Sequence, residues 1–134
     1  MDAWLIELVR SRAGSCCEYC LMPQAFFPAP FQFDHIIARQ HDGPTSPSNL
    51  ALSCLHCNSN KGPNIAGRDR ITKKLTPLFN PRRHKWERHF RWDGPVLVGR
   101  TAIGRTTISV LAIDDTFLLG LRTELFKEGL FPPA

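Results

Sequence analysis

Four cysteines stand in two Cys-x-x-Cys pairs, Cys17/Cys20 and Cys54/Cys57, with 33 residues between the pairs. The two-residue gap lets both sulfurs of a pair point at one metal, and four thiolates complete the tetrahedral shell that structural zinc prefers. Buried thiols without a metal are one alternative. A redox pair is another, but no thioredoxin-like strand–helix–strand pattern surrounds either motif. The spacing predicts a zinc site without the fifth cysteine, Cys16, because Cys16-x3-Cys20 fits the chelate poorly.

A second set of polar residues lies between and just after the cysteine pairs. Asp34-His35 ends an alternating apolar–polar run, and Asn58 directly follows Cys57. Adjacent side chains on a strand point to opposite faces, so Asp34 and His35 are not expected to ligate the same ion. We expect Asp34 and the Asn58 carboxamide to hold Mg²⁺ or Mn²⁺, which favour oxygen ligands. His35, with an ordinary pKa near ~6.5, is suited to take a proton from water as a general base.

The basic residues are concentrated in the middle of the chain. Residues 61–105 carry twelve Lys or Arg against three Asp or Glu, whereas residues 1–60 and 106–134 each carry a net charge of −2. Such a segment predicts binding to a polyanion, because neutralised phosphates release counterions. A solvated basic face without a partner is the alternative. The expected phosphate contacts are Lys61, Arg82, Arg83, Lys85 and Arg88.

Two further residues are candidates for nucleic-acid contact, each with a plainer alternative. Arg39 lies just after the strand that carries His35, where it is expected either to hold the substrate or to pair with a carboxylate. His89 is expected either to approach the scissile phosphate or to pack in the core with one edge in water.

Length and composition restrict the class of protein. A chain of 134 residues with 22% charged residues is typical of one globular domain, here 1–134, rather than a disordered segment. No apolar run approaches the ~20 residues that a membrane span needs, and the first residues show no signal-peptide pattern. We therefore expect no membrane partner and a cytoplasmic location, where paired cysteines bind metal more often than they form disulfides.

The elements expected around the cysteines are short. Asp2 is expected to cap a helix that Gly14 ends and whose apolar face carries Trp4, Leu5, Leu8 and Val9. Residues 31–37 alternate as a strand does, and residues 50–53 predict a second strand leading into Cys54. Asn58 is expected to begin a helix that Gly62 ends.

The second half of the chain predicts mostly helices. Asn80-Pro81 is a good cap and first-position pair for a helix that includes Trp86, His89 and Phe90. Asp93-Gly94 predicts a hairpin over 91–98. Residues 103–112 fit a strand by their β-branched residues and a helix by their apolar spacing, whereas residues 116–128 predict an amphipathic helix.

The order of these motifs resembles that of the zinc-bearing HNH endonucleases. The matching segments are Cys17-x2-Cys20, Phe33-Asp34-His35-Ile36, Ser48-Asn49-Leu50 and Cys54-x2-Cys57-Asn58-x2-Lys61-Gly62. The resemblance implies an α+β fold: a ββα-metal finger with structural zinc in an HNH core at 17–62, an N-terminal helix, and a helical C-terminal extension over 63–134. It also favours a helix at 103–112.

The same resemblance implies roles for individual residues. His35 would be the base that activates water, and Asn49 would tie a loop to the backbone of that histidine and fix its orientation. Asn58 stands where the last histidine of the family motif would be, a known variant that leaves the preferred catalytic metal open.

These observations predict a metal-dependent endonuclease that hydrolyses phosphodiester bonds in DNA. It would use structural Zn²⁺ and one catalytic Mg²⁺ or Mn²⁺, with low sequence specificity because backbone contacts carry little sequence information. The alternative is a zinc-stabilised nucleic-acid-binding module without cleavage activity, and a protein adaptor is a third hypothesis. One site per chain would favour a homodimer if both strands are cut.

Overall fold

The computed structural model describes residues 1–133, which form five α-helices and six short strands. The helices are α1 (Ala3–Arg12), α2 (Leu55–Lys61), α3 (Trp86–His89), α4 (Ala102–Val110) and α5 (Thr116–Lys127). The strands are β1 (Gln32–His35), β2 (Leu50–Ser53), β3 (Ala66–Arg68), β4 (Leu75–Pro77), β5 (Phe90–Asp93) and β6 (Val96–Gly99). The predicted α+β class is confirmed.

The strands pair only with their neighbours in sequence, as three antiparallel two-stranded sheets. In the first sheet Gln32 lies opposite Ser53 and His35 opposite Leu50. Because β2 runs directly into α2, this sheet and helix form the expected ββα unit. The second sheet pairs β3 with β4, and the third pairs β5 with β6 around the predicted Asp93-Gly94 turn.

A single cluster of buried apolar side chains includes residues from both halves of the chain. Val9 of α1 and Leu52 of β2 belong to it, and so do Phe90 of β5 and Leu118 of α5. The extension therefore packs against the ββα unit through the same core. Within residues 1–133, no helix combines the length and the apolar character that a membrane crossing requires.

Two helices near the cysteines differ from expectation in detail. The buried face of α1 is narrower than predicted, since Leu5 and Val9 are buried whereas Trp4 is 60% exposed. Asp2 occupies the N-cap position of α1 without a side-chain capping bond. Helix α2 begins at Leu55 rather than Asn58, because the Cys54 sulfur accepts the Cys57 N–H at 3.3 Å and caps the helix earlier.

The helix expected from Asn80-Pro81 is largely absent, which corrects the sequence prediction. Residues 81–84 form turns instead. The Asn80 carbonyl accepts the N–H groups of Arg83 at 3.1 Å and His84 at 2.9 Å. Side-chain bonds close the same turn, since His84 Nδ1 accepts the Asn80 N–H and the Asn80 side chain accepts the Arg82 N–H, both at 2.9 Å. Only the four residues of α3 are helical, and Phe90 begins β5.

The remaining part of the extension follows its predictions more closely. The ambiguous 103–112 segment is helical, as α4, and the Thr101 hydroxyl caps it by accepting the Gly104 N–H. Helix α5 ends at Lys127. The β3–β4 hairpin has no counterpart among the predicted elements.

Candidate metal centre and active site

The four predicted zinc ligands lie together in the interior. The sulfurs of Cys17, Cys20, Cys54 and Cys57 all lie within 4.8 Å of one another, and all four residues are buried. The Cys20 and Cys54 sulfurs are 3.9 Å apart, close to the ~3.8 Å expected across a tetrahedron with Zn–S bonds of ~2.3 Å. The donor set and its spacing fit a structural zinc ion, and Cys16 lies outside the cluster, as predicted.

The first cysteine turn is joined to both β2 and the extension. Glu18 exchanges two bonds with Leu52, its N–H donating to the Leu52 carbonyl at 2.9 Å and its carboxylate accepting the Leu52 N–H at 2.8 Å. The other carboxylate oxygen pairs with the Arg82 guanidinium. The Trp86 indole donates to the Tyr19 carbonyl at 2.9 Å. The first cysteine turn is therefore held by β2 on one side and by the extension on the other.

Asp34 lies on the buried face of β1, with its carboxylate held by two neighbours. The Tyr19 hydroxyl donates to Oδ2 at 2.6 Å, and Lys61 Nζ lies 3.3 Å from Oδ1. Asp34 is 4% exposed and Lys61 is 2% exposed, so this is a buried ion pair. Burial raises the pKa of the Asp34 carboxyl, an effect that Lys61 and Tyr19 oppose.

Lys61 makes further bonds that keep its ammonium inside the protein. Nζ donates to the carbonyls of His35 at 3.3 Å and Ile36 at 3.0 Å, as well as to Asp34. The ammonium thus binds the Asp34 side chain and the carbonyls of the two residues that follow it. Sequence reasoning placed Lys61 among the surface phosphate contacts, whereas in the structure it is directed inward from α2.

His35 occupies the opposite face of β1 from Asp34, as the strand geometry predicts. Its ring is half-buried, and Nε2 lies 2.8 Å from the Thr45 hydroxyl. Partial burial, with the nearby Arg39 cation, lowers the pKa of the His35 imidazole below its ordinary value. The ring is therefore neutral at pH 7, the form in which an imidazole accepts a proton.

Asn49 positions the chain that follows His35. Its carboxamide oxygen accepts the Ile37 N–H at 2.9 Å, and its amino group donates to the carbonyls of Ile37 at 3.0 Å and Pro44 at 2.8 Å. The loop is drawn so tightly that a Cβ on Gly43 would lie 1.7 Å from the Ile37 carbonyl oxygen. The expected bond of Asn49 to the His35 backbone is therefore found two residues further along, at Ile37.

Asn58 lies in α2, one helical turn before Lys61, so both side chains lie on the same side of the helix. Asn58 is partly exposed, and the Asn58 carboxamide has no hydrogen-bond partner within residues 1–133. Asp34 and Asn58 thus come from two facing elements and offer a carboxylate and an amide oxygen. These donors fit Mg²⁺ or Mn²⁺ in kind, although Lys61 already neutralises the carboxylate.

A cavity of about 680 Å³ opens between the ββα unit and the extension. Ile36 and Ile37, which directly follow His35, lie on one side of it, and Phe79 and Arg83 lie on the other. The residues that follow His35 therefore line a cavity together with apolar and basic side chains of the extension.

The predicted phosphate contacts have very different surroundings. Four are exposed: Arg39, Arg83, Lys85 and Arg88. Arg82 is partly buried against Glu18. His89 is 7% exposed, its Nδ1 lies 2.7 Å from the Thr101 hydroxyl, and its ring packs against Phe79, which is the plainer of its two expected environments.

Sequence reasoning missed two residues that shape the site. Tyr19, between Cys17 and Cys20, is the chain's single tyrosine, and its hydroxyl reaches Asp34, but its position in the sequence carries no signal of that contact. Thr45, in the loop before Asn49, was not singled out, because a threonine in a polar loop carries no signal of contact with a distant histidine.

Comparison with known protein families gives one match. Residues 17–64 match the family model described as HNH endonuclease. The matched range contains both cysteine pairs, Asp34-His35, Asn49 and Asn58. It excludes α1 and every helix and strand from β3 onward. No curated protein and no solved structure gives a significant match to the chain.

Proposed function

We propose, from the match of residues 17–64 to the HNH endonuclease model, that the protein is a metal-dependent endonuclease that hydrolyses phosphodiester bonds in DNA. The observation that carries the proposal is the arrangement on β1. A half-buried, neutral His35 projects from one face, while the other face presents Asp34 toward α2, the helix that holds Asn58.

In this proposal His35 is the general base. In the tautomer whose Nε2–H donates to the Thr45 hydroxyl, 2.8 Å away, Nδ1 keeps the lone pair that takes a proton from the attacking water. The lowered pKa of His35 keeps that lone pair free at neutral pH. Asn49 is a positioning residue, since it bonds Ile37 and Pro44 rather than any reacting group.

Asp34 and Asn58 are the proposed ligands of one divalent cation, Mg²⁺ or Mn²⁺. Such an ion supplies charge stabilisation for the phosphoryl group and the leaving oxygen. Two features support the assignment: the Asn58 carboxamide has no partner within residues 1–133, and Asp34 retains lone pairs beside its bonds to Tyr19 and Lys61. The exposed cations Arg39, Arg83, Lys85 and Arg88 are the proposed backbone contacts, and low sequence specificity follows.

A plasmid-nicking assay tests the proposal. We expect wild-type protein with Mg²⁺ or Mn²⁺ to convert supercoiled plasmid to nicked or linear forms, and His35→Ala to lose that activity by ~100-fold or more. His41→Ala is the matched control, because His41 is an exposed histidine in the segment that follows β1. Plasmid that stays supercoiled with the wild-type protein across both metals and a range of pH would remove the nuclease proposal.

A second candidate function is a nucleic-acid-binding module without cleavage. It is favoured by one observation, the buried ion pair in which Lys61 neutralises Asp34 and so competes with any cation there. Tight binding to duplex DNA together with no cleavage under any metal would select this function. In both cases we propose one zinc ion on the four cysteines.

A further inference from the structure

The β3–β4 hairpin carries a dense group of free cations. Its loop and the adjoining strand residue expose four basic side chains, Arg68, Arg70, Lys73 and Lys74. None of the ion pairs formed within residues 1–133 involves any of them. They lie within seven consecutive residues, so the hairpin presents about four unneutralised positive charges on a small surface.

The one acidic residue in this loop does not offset those charges. Asp69 is fully buried and pairs with Arg105 of α4 through two bonds, Nε to Oδ1 at 3.1 Å and the terminal nitrogen to Oδ2 at 2.9 Å. The guanidinium holds the pKa of the Asp69 carboxyl well below its ordinary value. The loop's negative charge is therefore directed inward, and its positive charges are directed outward.

The same aspartate makes the loop rigid. Asp69 exchanges backbone bonds with Lys73 and Lys74 at 2.8 and 3.0 Å, and its carboxylate accepts the Thr72 N–H at 3.1 Å. The hairpin also lies flat on α4, since a Cβ on Gly67 would come within 2.6 Å of the Val110 side chain. A cationic loop fixed in this way loses little conformational entropy when it binds a ligand.

The tip of the hairpin is apolar as well as basic. Ile71 is 66% exposed at the apex, and Leu75, where β4 begins, is 81% exposed. Large aliphatic side chains flanked by Arg and Lys are suited to a nucleic-acid groove, where the cations meet phosphates and the aliphatic group meets sugars and base edges. An acidic protein surface would match the charge but leave the exposed aliphatic tip without a defined role.

The base of the hairpin lies beside the proposed active site. Ile65 and Pro77, at its two ends, line the same cavity as Ile36 and Ile37, which follow His35. The Leu78 N–H donates to the Ile65 carbonyl at 3.0 Å and closes the base. A duplex whose backbone reached His35 would therefore have the hairpin within reach on the side of the extension.

We propose that the β3–β4 hairpin is a second DNA-contact element, which binds backbone phosphates of duplex DNA through Arg68, Arg70, Lys73 and Lys74 and places Ile71 in the minor groove. The proposal rests on the proposed function for its choice of DNA as ligand. It assigns substrate binding to the extension, outside the matched HNH domain.

Binding of a short fluorescent duplex, measured by anisotropy with the His35→Ala protein and no added divalent cation, tests the proposal. We expect the triple variant Arg70→Ala/Lys73→Ala/Lys74→Ala to bind at least about tenfold more weakly. The slope of log affinity against log salt should also be less steep by about 2.7, at ~0.9 per lost phosphate contact. Ile71→Ser should weaken binding without changing that slope.

The matched control is Arg91→Ala/Arg100→Ala/Lys127→Ala, which removes the same charge from exposed positions elsewhere. It should keep the wild-type slope to within about one unit. An equal loss of slope in both triple variants, or no loss in the hairpin variant, would overturn the proposal. If polyglutamate displaces the fluorescent duplex as effectively as unlabelled duplex does, the DNA-contact proposal is also overturned, in favour of an acidic polypeptide partner. Because this assay measures binding without cleavage, it still tests the role of the hairpin if the protein proves not to be a nuclease.

Discussion

Replacing Lys61 with methionine is expected to destabilise this protein strongly, although lysine is usually a surface residue. The substitution keeps the length of the side chain but removes the ammonium that lies 3.3 Å from Asp34 Oδ1. The carboxylate would then be left 4% exposed with only the Tyr19 hydroxyl to stabilise its charge. The carbonyls of His35 and Ile36 would lose a donor at the same time.

The size of the effect follows from burial. Breaking a buried ion pair by removing one partner costs about 3–5 kcal/mol, because the remaining charge is uncompensated. A domain of this length loses roughly 3–4 °C of melting temperature per kcal/mol, so Lys61→Met should melt about 10–20 °C below wild type. The exposed Lys127 provides the matched control, and Lys127→Met should change the free energy of unfolding by less than about 0.5 kcal/mol.

Thermal unfolding followed by circular dichroism, with zinc present throughout, measures both variants. A double variant, Lys61→Met/Asp34→Asn, should recover most of the lost stability, because the uncompensated carboxylate is gone. A loss below about 1 kcal/mol for Lys61→Met, or a double variant as unstable as the single one, would refute the reasoning from the buried pair.

The same variant separates the two candidate functions. If Asp34 is a cation ligand, Mn²⁺ at about 100 times its dissociation constant for Lys61→Met should stabilise that variant by about 2.7 kcal/mol. The same Mn²⁺ concentration should stabilise wild type by less, because Lys61 competes for the carboxylate. Equal and negligible stabilisation of both proteins would argue for the non-cleaving module. Calorimetric titration of Mn²⁺ gives the affinities directly.

Three further outcomes are expected. Cys57→Ser should bind less than one zinc ion per chain and lose its cooperative unfolding transition, whereas Cys16→Ser should retain one ion, as measured by metal analysis after gel filtration. The pH profile of kcat/KM should stay level down to ~6.5 and fall only below it, because the pKa of His35 is lowered and activity is lost only when the ring gains a proton; an acid limb centred above ~6.5 would contradict this assignment. Asn49→Ala should lower the free energy of unfolding by about 2–3 kcal/mol in urea denaturation, since three hydrogen bonds at a buried site are lost, and a change below 0.5 kcal/mol would be inconsistent with them.

The parts of the site that could be predicted are those with a strict local spacing. Two residues between cysteines, and alternation along residues 31–37, specify their geometry through nearest neighbours in the chain. The zinc cluster, the β1–β2 pair and the opposite directions of Asp34 and His35 were therefore predicted correctly. The cap that begins α2 was missed because a cysteine sulfur is an uncommon acceptor at that position.

The parts that could not be predicted depend on contacts between distant segments. Strands β3 and β4 have three residues each and contain glycine and proline, which strand propensity disfavours, and they are held by packing on α4 and by the Asp69–Arg105 pair. Lys61 is predicted as a phosphate contact, and only the fold brings it to Asp34, 27 residues away in the chain. Both misses are cases in which tertiary contacts outweigh residue type.

The hydroxyl of Tyr19 links the cysteine cluster to the carboxylate of Asp34. Tyr19 stands between two zinc-cluster cysteines, Cys17 and Cys20, and its proton is donated to the carboxylate of Asp34. Burial raises the pKa of this phenol well above its ordinary value, so the proton stays in place across the working range of pH. A change at the cysteine cluster that moved Tyr19 would therefore change its hydrogen bond to Asp34. If metal binding at the cysteines stabilises that bond, a ligand that stabilises the bond would strengthen metal binding by the same free energy.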